Sequence, residues 1–310
     1  MLAVRELREL TLSRATKAAQ PLHVSAASGL VRIGQRLYVV ADDENVLAIF
    51  DLGNDEPGRA VQLFGGELPL SHSERKAVKS DLEALTQLPA FDNHPCGALL
   101  AVGSGSRRNR MQAALLRLDA AGAVDAAARR IDLTELLVPL QQRFVELNIE
   151  GAFITGGELC LLQRGNTRSP VNACIRFALD PFLRWIGNSG PVPETVCVTQ
   201  HDLGSIDGVP LCFTDGVALR DGRWLFSAAA EDTSDSYADG RCLGSAVGVV
   251  DENGTLQRVE RLAAVCKVEG VALAHELGDD ADDSRLPLLL VSDADDRRIA
   301  ARLLSVTLSL

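Results

Sequence analysis

Apolar residues in this chain come in short runs broken by polar loops, with no sustained recurrence near the 3.6-residue period of an amphipathic helix. Such runs read as β-strands. One pattern recurs five times, a Ser or an acid, then Gly or Ala, then a short apolar run. The copies are Ser28-Gly29-Leu30-Val31, Glu83-Ala84-Leu85, Glu150-Gly151-Ala152-Phe153, Asp215-Gly216-Val217-Ala218 and Glu269-Gly270-Val271-Ala272. Their spacings are 55, 67, 65 and 54 residues, and the return from Glu269 through the C-terminus to Ser28 is 69. Five similar intervals close a circle.

Each copy opens a series of strand signals. The second strands are Leu37 to Val40, Leu99 to Val102, Leu159 to Leu162, Trp224 to Ser227 and Leu288 to Val291. The third are Val46 to Leu52, Ala113 to Leu118, Ala173 to Leu179, Ala246 to Val250 and Ile299 to Leu308. Fourth strands follow at Arg59 to Phe64, Arg129 to Leu133, Thr195 to Thr199 and Leu256 to Leu262, and the Asn253-Gly254 step marks a tight hairpin before the last of these. The fifth unit lacks a fourth strand, while Ala3 to Leu12 is a spare strand with no unit of its own. Placing that run outermost on the last blade closes the ring and removes an exposed edge. The pattern therefore predicts an all-β fold over residues 1–310, a five-bladed β-propeller with four-stranded blades closed by the N-terminal strand. A helical solenoid lacks support in the periodicity, and a jelly roll gives no five equivalent units. Irregular inserts are expected at Glu67 to Lys79, Leu136 to Asn148 and Asp180 to Glu194, with a helical turn or two in the second.

Composition narrows the partners. A net charge of −11 disfavours nucleic acid and anionic membranes, whose phosphates need a basic face, and fits cations or small molecules bound at local sites. No apolar stretch reaches membrane-span length, and Met1 to Leu12 is interrupted by Arg5, Glu6, Arg8 and Glu9, so no signal-peptide core is expected there. Seven cysteines without a CxxC pair, most of them in apolar runs (Cys160, Cys174, Cys197, Cys212), point to buried thiols in a reducing, cytoplasmic protein.

In a propeller the first strand of every blade lines the central channel. The five repeat positions therefore form a ring near one mouth, and the Gly after most of them suits close backbone approach at a crowded axis. Four of the five are acids: Glu83, Glu150, Asp215 and Glu269, with Ser28 as the fifth. Carboxylates gathered this closely repel unless a cation joins them. Oxygen ligands of this kind suit Ca²⁺, with Mg²⁺ as the alternative, and the lack of His or Cys in the ring disfavours zinc. The bland alternative is that these residues only cap blade-start turns.

The loops after the second strands return to the same mouth. They supply Arg107, Arg108, Arg164 and Arg168, a candidate basic cluster for a small anionic molecule, since Arg binds phosphate and carboxylate bidentately. They also supply Glu231 and Asp293 as candidate catalytic acids or bases, with Asp232 and Asp295 beside them. For any one loop residue, simple solvation competes with these roles. The five histidines share no register, no Walker or GxSxG pattern occurs, and the acidic run Asp279 to Asp283 lacks EF-hand spacing and reads as a solvated hairpin insert.

The ring resembles that of the soluble calcium-activated nucleotidases, or apyrases, five-bladed propellers with one axial Ca²⁺ held by Ser and Glu residues at inner-strand starts in sequences like Glu-Gly-Leu. Ser28, Glu83, Glu150, Asp215 and Glu269 stand in the matching places, Asp215 where that family usually has Ser. The resemblance implies metal-dependent phosphoanhydride hydrolysis. A weaker similarity to phytase-like and lactonase-like propellers, commonly six-bladed, implies phosphomonoester or lactone hydrolysis instead. Two functions of different class follow: a metal-dependent hydrolase of an anionic small molecule, and a non-catalytic binding or scaffold propeller whose axial cation pins the blades.

Overall fold

The computed structural model describes residues 1–15, 21–66, 68, 69, 71–234, 240–275 and 284–310. Asp279 to Asp283, expected as a solvated hairpin insert, lie outside the described residues, as do Glu67 at the start of the first predicted insert and Asp235.

Strand β1 (Arg5–Glu9) stands first. Blade one is β2 (Ala27–Ile33), β3 (Arg36–Ala41), β4 (Val46–Asp51) and β5 (Arg59–Gln62). Blade two is β6 (Leu82–Leu88), β7 (Ala98–Gly103), β8 (Gln112–Arg117) and β9 (Arg129–Asp132). Blade three is β10 (Ile149–Thr155), β11 (Glu158–Gln163), β12 (Asn172–Ala178) and β13 (Thr195–His201). Blade four is β14 (Ser205–Ile206), β15 (Val209–Ala218), β16 (Trp224–Asp232), β17 (Arg241–Val250) and β18 (Leu256–Arg261). Blade five is β19 (Lys267–Leu273), β20 (Arg285–Asp293) and β21 (Arg302–Ser309), completed by β1 on its outside. The five-bladed propeller and its closure are as the sequence predicts, with antiparallel pairing throughout the blades. One departure is blade four, which has five strands because the two-residue β14 pairs with the upper part of β15. The inserts hold α1 (His72–Val78), α2 (Thr134–Arg143) and α3 (Leu179–Ile186); helix was expected only in the second, where it begins two residues before Leu136. Cys197, expected as a buried thiol, is exposed on β13.

Middle strands are buried on both faces, which is why they read as continuous apolar runs. In β3, Leu37, Val39 and Ala41 pack towards blade five, while Tyr38 and Val40 pack towards blade two. This period-two division repeats around the ring. Five apolar clusters result among the described residues, one between each pair of adjacent blades. Leu10 and Leu12, just past β1, are buried in the cluster between blades five and one. Closing the ring therefore fills a core as well as covering an edge.

Candidate functional site

Every inner strand carries a register shift at its upper end, where two residues oppose one on the next strand. The shifts fall between Ala27 and Leu30, Leu82 and Ala84, Ile149 and Gly151, Phe213 and Asp215, and Val268 and Gly270. A β-bulge of this kind re-aims the extra side chain. The bulged residues in blades two, three and five are Glu83, Glu150 and Glu269, and Ser28 takes the equivalent place in blade one. These four line a cavity of about 130 Å³ at the channel mouth.

Blade four corrects the sequence reading by one residue. Its bulged position is Thr214, not Asp215, and a one-residue offset moves a side chain to the opposite side of the strand. The Thr214 hydroxyl lies 2.8 Å from that of Ser227. Asp215 falls instead in the set Gly29, Ala84, Gly151, Asp215 and Gly270, and it does not line the cavity. A Cβ on Gly29 would stand 2.4 Å from the Leu85 nitrogen, and one on Gly151 2.9 Å from the Asp215 Cα. Where its counterparts are small, Asp215 fills the axis. Its carboxylate accepts the backbone N–H groups of Leu30 (3.3 Å), Val271 (3.0 Å) and Gly216 (2.8 Å), tying together strands of blades one, five and four. Burial pushes its pKa well up despite those three bonds. For this residue the backbone-capping alternative describes what is seen.

The cavity is lined by ten carboxylates and six basic side chains, which separate into two clusters. On the side of blades three to five, Arg164 reaches Glu150 (3.2 Å), Glu231 (2.6 Å) and Glu269 (3.7 Å). Lys267 reaches Glu269 (3.0 Å), Asp295 (2.9 Å) and Glu231 (3.6 Å). The other Glu231 oxygen accepts the Gly240 N–H at 2.6 Å, so that carboxylate is held at both ends. Burial lifts Glu150 to about 7, with Glu269 adding to the rise and Arg164 opposing it. Glu269 is also raised by burial, and Asp293, half-buried at the cavity wall, is pushed well up by burial and by Asp295.

On the side of blades one and two, Lys79 binds Asp42, Asp81 (2.9 Å) and Asp43 (3.2 Å). Arg110 holds the other Asp81 oxygen at 2.6 Å, where the Ser104 hydroxyl also donates. Ser28 donates its hydroxyl to Glu83 at 2.9 Å. Burial would raise Asp81, but Lys79 and Arg110 outweigh it and hold that carboxyl below its ordinary value. Burial, Asp42 and Glu150 push Glu83 well up, and burial lifts Asp42 to about 7 against the pull of Lys79. One oxygen each of Asp42, Asp81 and Glu83 lie within 4.8 Å of one another. The Asp42 Oδ1 atom is buried with no hydrogen-bond partner among the described residues.

Of the loop residues expected here, Arg164, Glu231 and Asp293 line the cavity with the ring. Arg107, Arg108 and Arg168 do not. Arg107 precedes a short 3₁₀ turn, Arg108–Arg110, whose third residue, Arg110, is the one directed inward, and Arg108 borders a separate surface hollow with Arg130. Asp81, Lys267 and Lys79 were missed, and Asp42, in the loop after the second strand of blade one that was expected at this mouth, was given no role. A signal existed for three of them: Asp81 and Lys267 precede a ring residue by two positions and Lys79 precedes Glu83 by four, the even spacing that places strand residues on one face.

Residues 23–308 match the family of unknown function DUF6929. No curated protein matches the sequence. Among solved structures, the chain is similar to a luciferin-regenerating enzyme at 10% identity and a TM-score of 0.48, over 99% of this chain and 95% of that one. It is also similar to a putative exo-β-1,3-galactanase from Bifidobacterium bifidum s17 at 12% identity and a TM-score of 0.47, over 98% and 94%.

Proposed function

The chain belongs to this family of unknown function, and we propose that its channel mouth binds a hard divalent cation, Ca²⁺ or Mg²⁺, at Asp42, Asp81 and Glu83, next to a small polar molecule that it hydrolyses. The observation that carries this reading is the convergence of one carboxylate oxygen each from Asp42, Asp81 and Glu83 within 4.8 Å, with Asp42 Oδ1 buried and unbonded among the described residues. An all-oxygen donor set of this kind fits Ca²⁺ or Mg²⁺ and excludes the softer metals on ligand chemistry. The proposed ligand set differs from the one expected from the repeat: Arg164 and Lys267 pair with Glu150 and Glu269, Lys79 pairs with Asp42 and Asp81, and a cation joining those two oxygens with Glu83 competes with the Lys79 ammonium. When bound, such a cation supplies Lewis-acid polarisation of a phosphoryl or carbonyl oxygen. Ser28 orients Glu83, and Ser104 with Arg110 orients Asp81. Glu150, lifted by burial to about 7, is poised to exchange a proton near neutral pH, and Asp293, pushed well up by burial and Asp295, is the candidate acid. Glu231 serves to fix Arg164 and Lys267 rather than to move a proton. The apyrase-like ring makes phosphoanhydrides the first substrate class to try, with phosphomonoesters and lactones next.

The test is a melting curve of metal-stripped protein titrated with Ca²⁺, Mg²⁺ and chelator. A cation bound only by the folded state at a hundred times its Kd adds about 2.7 kcal/mol. Glu83→Gln should remove that gain. A flat response of the unmodified chain refutes the cation site. A second reading is favoured by Arg164 and Lys267 lying among three carboxylates: a propeller in which the ionic ring is structural and any cation only pins blades. A cation-dependent melting shift without turnover of any of the three substrate classes supports it.

A further inference from the structure

The channel has a second mouth. Each inner strand runs from its ring residue towards the far end, rising about 3.3 Å per residue. Leu30, Leu85, Phe153, Val217 and Leu273, one from each blade, stand two to four places beyond the ring and line a hollow of about 250 Å³. Among the described residues it shares no lining side chain with the acidic cavity. Asp215 fills the axis between the two, and its carboxylate is bonded to the N–H groups of Leu30 and Gly216, which belong to the lining of the hollow.

The chemistry of this mouth is the reverse of the other. Where the upper cavity is crowded with carboxylates, Arg32 is the one formally charged side chain among the described residues lining the lower hollow. Thr86, Gln87 and His275 add polar groups to an otherwise apolar wall. Arg32 lies on the same side of β2 as Leu30, which packs towards blade five. His275 follows β19, the inner strand of that blade, so both groups stand at one seam of the hollow. The Arg32 Nε atom is buried without a hydrogen-bond partner, and its guanidinium makes no ion pair, among the described residues. A buried donor left unmet costs free energy that an acceptor restores.

We propose that the lower mouth is a second ligand site, for a small apolar molecule ending in one carboxylate. The apolar body packs among the five strands. The carboxylate accepts the Nε–H and a terminal N–H of Arg32 side by side, the paired geometry a guanidinium favours, with a His275 ring N–H at the same seam as a further donor. A hollow of about 250 Å³ is smaller than the roughly 300–1,000 Å³ of sites for drug-sized ligands, so a short chain or a single ring fits and a lipid does not. The net charge of −11 does not govern this mouth. Arg32 lies four places beyond Ser28, about 13 Å along the strand, farther than the roughly 8–10 Å over which exposed charges act in ordinary salt. Among the described residues the lining itself holds no carboxylate.

Titration calorimetry with sodium octanoate should show one site per chain with a Kd below about 1 mM. The value should be the same with and without chelator, which separates this site from the cation at the upper mouth. Octanamide, similar in shape but uncharged, should bind at least about tenfold more weakly, and octylammonium more weakly still. Arg32→Gln should cut octanoate affinity at least about tenfold and leave octanamide within about twofold. Ala218→Phe, which fills the hollow from the half-buried end of β15, should remove both. The two changes sit on different blades, so a folding defect in one variant leaves the other to decide. No saturable binding of octanoate, octylammonium binding as tightly as octanoate (the outcome net charge alone would favour), or octanoate affinity unchanged in the folded variants would each overturn the proposal.

Discussion

Replacing Arg164 by Met removes a cation that touches Glu150, Glu231 and Glu269 together. The side chain is 9% exposed, so the three carboxylates lose a partner that solvent cannot replace. Removing one member of a buried ion pair costs about 3–5 kcal/mol. With an unfolding entropy of about 2.1 cal/mol/K per residue, a 310-residue chain would melt roughly 5–8 °C lower. The loss should depend on pH. Glu150 is raised to about 7 from an ordinary 4.5, by burial first and Glu269 next, against the pull of Arg164, so its folded value climbs further in the variant. A carboxyl whose folded pKa exceeds its unfolded one binds its proton more tightly in the folded state. The resulting penalty is absent below about pH 4.5 and grows as pH rises through the folded value. The deficit should therefore be fullest at pH 8 and shrink towards pH 5. Adding Glu231→Gln should recover about 1–2 kcal/mol, since a neutral amide needs no countercharge and the two sites are in contact. Thermal melts of the four proteins of this cycle in chelator, at pH 5 and pH 8, measure all of it. An Arg164→Met chain within about 0.5 kcal/mol of the parent at pH 8 would refute the view that this guanidinium neutralises the ring.

Deleting residues 1–12 exposes β21 along its length and empties the places of Leu10 and Leu12, so denaturant titration should show a loss of more than about 5 kcal/mol, or no folded protein at all. Asp215→Ala strips the acceptor from three buried N–H groups and should cost about 2–5 kcal/mol, yet leave any cation-induced melting shift intact, because that carboxylate lies outside the cavity. Loss of the shift in Asp215→Ala while the folded state persists would return Asp215 to the ligand set.

The blade count and ring closure were legible because both faces of each middle strand are buried, which leaves unbroken apolar runs at a regular interval. The site was legible where a single bulge placed Glu83, Glu150 and Glu269 at the mouth, and misleading where Asp-Gly in blade four imitated Glu-Gly one position out of step. Hydrophobicity does not distinguish Thr214 from Asp215 as the bulged residue; the hydrogen-bond register does. The countercharges were hidden for a different reason. Lys79 and Lys267 read as ordinary polar residues at strand entrances; each meets an acid two positions on, Asp81 at 2.9 Å and Glu269 at 3.0 Å, and only the approach of neighbouring blades adds Asp42 and Glu231. The arginine loops show the converse: Arg107, Arg108 and Arg168 have the right chemistry in the right connections, but the 3₁₀ turn spends its inward direction on Arg110.

The pairing of Arg5 with Ser305 also sets a timetable. Synthesis at about 5–20 residues per second separates the emergence of these two positions by roughly 15–60 s. Throughout that interval the first strand has no partner, and Leu10 and Leu12, which end in the cluster between blades five and one, have only half of their packing surface to find. Four blades can be assembled while the ring is still an open arc. A pause of the ribosome anywhere along that arc prolongs the exposure of one end of the chain without altering a residue of either strand that finally meets.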